Sequence, residues 1–152
     1  LVPLGRWLLV AGAIVVLTGT MVTGAGPHGG DPEADRLPID ILQIVRIHGI
    51  AMVVFLASTL VLLFRLARAG PRAAAARRAA TVLVTVLVAQ AGLGYLQYFT
   101  GVPPLLVGAH VLGATLVWMA LVHQWLQLRP PARSGVPARA EPTAQPVAVA
   151  AH

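Results

Sequence analysis

Five histidines and no cysteine make imidazole the one strong soft-metal ligand in this 152-residue chain. Disulfides, thiolate metal sites and Cys-ligated clusters are excluded by that count. Two of the histidines, His48 and His110, lie in the early parts of long apolar runs. An ionisable side chain there is costly unless it faces a bundle interior or a partner, so it marks a functional position. Four apolar runs are long enough to cross a membrane, over about residues 7–25, 39–64, 79–98 and 105–126. His48 lies about nine residues into the second and His110 about five into the fourth, so at about 1.5 Å per residue their depths differ by a few ångströms. The two runs point the same way through the bilayer. Imidazoles at equal depth on parallel, adjacent helices can take both axial positions of one haem iron.

The residues flanking the pair are small: Gly49 and Ala51 beside His48, and Gly108, Ala109, Gly113 and Ala114 beside His110. They leave room for a porphyrin, and equally they permit the close helix packing common in membrane bundles. Arg46, roughly one turn outward from His48, is a candidate partner for a haem propionate, with Asp40 or a lipid phosphate as the competing anion. His123 lies thirteen residues beyond His110, about 20 Å deeper and on roughly the opposite face. It cannot share that haem, and the inner half of the second run offers no histidine to pair with it. His123 reads as an interfacial residue, His28 as part of a Gly-rich surface loop, and the terminal His152 as a residue without a role.

The elements that must position this pair follow from composition. Hydrophobic residues make up 57% of the chain and charged residues 11%, with a mean hydropathy of +0.80, more apolar matter than one soluble core of this size consumes. The expected fold is an all-α, integral membrane four-helix bundle over residues 1–128, followed by a disordered Pro/Ala/Arg tail over 129–152. The net charge of +6 does not point to nucleic acid, because the eleven basic residues are all Arg and nearly all sit at the ends of apolar runs. Arg6, the loop carrying Arg65, Arg68, Arg72, Arg77 and Arg78, and the tail arginines fall on one side. The acidic loop with Asp31, Glu33 and Asp35 and the turn Thr100–Pro104 fall on the other. The arginine side is expected to be cytoplasmic, with both termini on it and the plasma membrane as the location. Each half of the chain is an outgoing helix, a Gly/Pro turn and a returning helix with one histidine in its outer part, a weak internal repeat.

Two stretches carry a family resemblance. The words TGTMVTGAGPHGGD (18–31) and QAGLGYLQYFTGVP (90–103), the second running on to His110, together with Ile47-His48-Gly49, resemble the haem A synthases of cytochrome oxidase assembly over about residues 5–128. That family has eight spanning helices in two similar four-helix halves, and this chain resembles the C-terminal half, so a further four-helix half is expected upstream of Leu1. The resemblance implies oxidation of a methyl group of haem O to a formyl group, giving haem A. It implies that His48 and His110 hold a b-type haem as cofactor, while the substrate site and an essential glutamate belong to the other half. The implied partners are haem O, the lipid bilayer and the missing half, with haem O synthase, an electron donor and a second copy of the chain as further candidates. A self-sufficient four-helix membrane cytochrome b carrying electrons is the alternative, and a bundle without cofactor the plainest one.

Overall fold

The computed structural model describes residues 1–27, 33 and 35–129. His28, His152 and the tail beyond Arg129, for which a surface loop and disorder were expected, lie outside them. Four long helices run in chain order: α1 (Val2–Ala25), α2 (Ile41–Arg68), α3 (Ala74–Phe99) and α4 (Pro104–Leu128), with a 3-10 turn at Pro71–Ala73 before α3. Among the described residues there is no strand. At about 1.5 Å per residue, helices of this length reach roughly 36 to 42 Å, enough for the ~30 Å hydrocarbon core. All four have the length and composition of membrane spans. The chain is therefore an all-α, multi-pass membrane protein.

Local chemistry sets the boundaries. Asp40 caps α2, its carboxylate accepting from the Gln43 amide at 2.7 Å, which satisfies one of the donors a helix start leaves free. Proline opens α4 at Pro104 and the 3-10 turn at Pro71, where its missing amide costs nothing. Gly70 and Gly101 both take φ +78° in the reversals that follow α2 and α3, a conformation glycine reaches without penalty. The expected five-arginine loop is much shorter than the sequence reading made it. Arg65 and Arg68 extend α2, Arg72 sits in the 3-10 turn, and Arg77 and Arg78 belong to the first turns of α3. The alanine run 73–76 explains the difference, alanine being the strongest helix former.

The helices pack as two hairpins. α1 lies most extensively on α2, and α3 on α4, while the α2–α3 and α1–α4 faces close the square. This corrects one expectation: α2 and α4, which carry the two histidines, are not neighbours but occupy a diagonal. Side chains from both can therefore meet across the bundle axis.

The packed core occupies the end of the bundle that carries the arginines. Leu8, Ala11, Phe55, Leu62, Leu66, Ala76, Ala80, Leu83, Leu87, Val117 and Leu121 form one buried cluster there, and the Trp7 indole donates to Ser58 Oγ at 3.1 Å to tie α1 to α2. At the opposite end, which carries the α1–α2 connection and the α3–α4 turn, Ile44 is the one buried large apolar residue among those described. The outward faces are largely apolar, with Leu17, Ile50, Leu105, Leu112 and Met119 exposed. In a spanning bundle that surface meets lipid tails.

Candidate functional site

Where the apolar core stops, the histidines begin. His48 is the eighth residue of α2 and His110 the seventh of α4, so their depths from the helix starts differ by about 1.5 Å. That is a closer match than the sequence boundaries gave, because α2 starts at Ile41 and α4 at Pro104. Both side chains are half-buried.

Each ring rests against a glycine of the preceding helix. A Cβ added to Gly19 of α1 would fall 3.1 Å from His48 Cε1, and one added to Gly94 of α3 would fall 3.1 Å from His110 Cε1. The same edge of each imidazole thus packs on bare backbone, and the two hairpins repeat the arrangement. The small residues singled out from sequence act differently. A Cβ on Gly49 or Gly108 would meet nothing within 4 Å, so neither is needed for helix contact. Gly113 instead makes room for the Gln90 side chain, whose Nε2 donates to the His110 backbone carbonyl.

The polar surroundings of the two rings differ. His48 Nδ1 is 3.1 Å from Thr18 Oγ1. His110 Nδ1 is enclosed without any partner among the described residues, as is Gln97 Oε1, one turn beyond Gly94 on α3. Leaving a buried polar atom unpaired costs about 1–3 kcal/mol.

Arg46 stands apart from this constellation. Two residues before His48 is about 200° of helix rotation, and Arg46 is exposed. Among the described residues it has no hydrogen bond or ion pair, and the Asp40 carboxylate serves the helix cap. At the far end of the bundle His123 is exposed on the α3–α4 face, where it lines a groove of about 230 Å³ with Arg78 and Gln127. This separates it from the His48–His110 level, as its spacing from His110 requires. No set of three or more His, Cys, Asp or Glu residues is arranged for a metal ion among the described residues. A porphyrin iron needs only two axial protein ligands, because the macrocycle supplies the rest.

Thr18, Gly19, Gln90, Gly94 and Gln97 are the site neighbours that the sequence reading did not assign. All five fall inside the two motif words, which carried the resemblance without giving any of these residues a role. No protein-family model matches the chain, and no curated protein or solved structure proved similar to it.

Proposed function

We propose that His48 and His110 are the two axial ligands of one b-type haem and that the chain is the cofactor-holding half of a haem A synthase. The observation that carries the haem reading is the interrupted core. Two imidazoles stand at matched depth on the bundle diagonal, each backed by a glycine, above the level where buried apolar side chains end. A bundle without cofactor would fill that level with leucine and phenylalanine, as the other end is filled.

A haem with both axial positions taken by histidine supplies one-electron transfer rather than oxygen binding. The chain's own residues set its surroundings. His48 and His110 hold it from opposite helices, Gly19 and Gly94 let α1 and α3 approach, and the apolar core below keeps water from the arginine end. Gln97, three residues beyond Gly94, has an enclosed, unpartnered Oε1, and a propionate on this side would draw on its amide more directly than on the exposed Arg46. The synthase assignment rests on the two motif words and on the histidine helix. It places oxidation of the haem O methyl group in a separate four-helix half and gives this half the delivery of electrons. The arginine end is then cytoplasmic and the haem lies toward the outer face of the plasma membrane. The alternative, a stand-alone cytochrome b, shares the haem and dispenses with the second half.

The test is spectroscopic. Purified protein should give a pyridine haemochrome of b type at one haem per chain and a low-spin Soret band. His48→Ala and His110→Ala should each abolish the low-spin band, and His123→Ala should leave it unchanged. Protein free of haem after expression and after reconstitution with hemin would overturn the reading. Turnover of haem O only when the upstream half is co-expressed would favour the synthase; quinol oxidation by this chain alone would favour the carrier.

A further inference from the structure

The two histidines are equal in depth and unequal in support. Thr18 is 8% exposed, and its hydroxyl lies 2.8 Å from the Ile14 carbonyl and 3.1 Å from the Val15 carbonyl, one turn back in α1. A hydroxyl has one proton and two lone pairs. With the proton directed to those carbonyls, Oγ1 faces His48 Nδ1 at 3.1 Å as an acceptor. That acceptor calls for the proton on Nδ1, which leaves the Nε2 lone pair free. His110 has no such arrangement: Gln90 holds its backbone carbonyl, and its Nδ1 is buried with no partner among the described residues.

We infer that Thr18 is a positioning residue that fixes His48 as the anchoring, strongly donating ligand and leaves His110 as the exchangeable one. The inference rests on the haem reading above. The physical basis is the effect of outer hydrogen bonds on ligating histidines. An acceptor on the distal N–H sets the tautomer, locks the ring orientation and raises the basicity of the ligating nitrogen, and losing it typically costs 10–100-fold in affinity. The asymmetry comes from the first residues of the repeat. Thr18 precedes Gly19 in α1, whereas the residue preceding Gly94 in α3 is Leu93, which offers no acceptor. The hairpins repeat the glycine and the histidine but not the hydroxyl.

The consequence is directional. An added ligand such as cyanide or imidazole should displace His110 and leave His48 bound. Stabilising the more electron-donating ligand also favours the ferric state, so loss of the Thr18 acceptor should raise the haem midpoint potential.

The experiment uses the 152-residue chain in lipid nanodiscs, reconstituted with hemin, in five forms: unmodified, Thr18→Val, Thr18→Ser, His48→Ala and His110→Ala. His110→Ala is expected to keep most of its haem as a five-coordinate, high-spin species, and His48→Ala to lose it. Thr18→Val is expected to lower hemin affinity by about tenfold, raise the midpoint potential and change the g anisotropy of the low-spin ferric signal. Thr18→Ser, which keeps the acceptor, should restore all three. Helical circular dichroism checks that each variant is folded, and the serine rescue separates a hydrogen bond from packing. Equal haem retention in the two alanine variants, or a Thr18→Val protein with unmodified affinity, potential and signal, would overturn the inference while leaving the bis-histidine haem intact. Unmodified protein that takes up no hemin would end both.

Discussion

Gly94 and His110 are in contact with nothing between them: a Cβ on the glycine would fall 3.1 Å from the imidazole Cε1, inside the usual van der Waals separation. The ring is held at that distance from α3 by the absence of a side chain, and Gly19 does the same for His48. Gly94→Ala should push the His110 ring by a few tenths of an ångström, and Gly94→Leu should displace it altogether. The expected outcome is an intact helical spectrum with hemin affinity reduced in the alanine variant and low-spin haem lost in the leucine variant. Titration with hemin, followed at the Soret band, checks it. A Gly94→Leu protein that still forms the low-spin species would remove the glycine from the site.

Gln124 is 1% exposed, and both of its side-chain polar atoms are without partners among the described residues. Its neighbours on the same face of α4 are Val117 and Leu121, part of the apolar core. Replacing it with leucine removes an unsatisfied amide from a near-isosteric site. Gln124→Leu should be neutral or stabilising by about 1 kcal/mol, read as a higher midpoint in thermal or SDS unfolding. A loss of stability of comparable size would mean that the amide has a structural partner, such as an internal water.

Val102 adopts φ +59°, a left-handed conformation that a β-branched side chain tolerates poorly. It is held there by its amide bond to the Gln97 carbonyl at 2.8 Å and by Pro103 following it. Val102→Gly should relieve about 1 kcal/mol of strain and raise the unfolding temperature, while Val102→Ile should not. A destabilised glycine variant would mean that the half-buried valine side chain contributes more by packing than its backbone costs.

The absence of cysteine makes single-cysteine labelling of topology clean. On the proposed orientation, Arg72→Cys should react with a membrane-impermeant maleimide only after the cytoplasmic face is opened, and Glu33→Cys should react in intact cells. The reverse pattern would invert the bundle and move the histidine level to the cytoplasmic side.

The helices and the depth of the histidines were legible because both depend on local quantities. Apolar length marks the spans, and a fixed rise per residue converts sequence position into depth. What sequence did not disclose depends on rotation and packing between helices. The diagonal placement of α2 and α4 emerges only when hairpins pair, so adjacency was the wrong expectation. Thr18 and Gly19 were read as part of a motif, but their register against His48 is a tertiary fact. Arg46 was placed by distance along the helix, whereas its rotation around the axis carries it to an exposed face. The alanine-rich start of α3 was assigned to a loop on the strength of its arginines, although alanine propensity extends the helix through it.

The hairpin pairing has a further meaning for biogenesis. α1 with α2 and α3 with α4 are the extensive contacts, and each hairpin brings one histidine. A hairpin of two apolar helices can enter the bilayer as it leaves the ribosome, with no cofactor present. Under the proposed function neither hairpin alone can hold the haem. The prosthetic group would act as the rivet between two independently inserted units, and its arrival, rather than translation, would set the moment at which the bundle becomes complete.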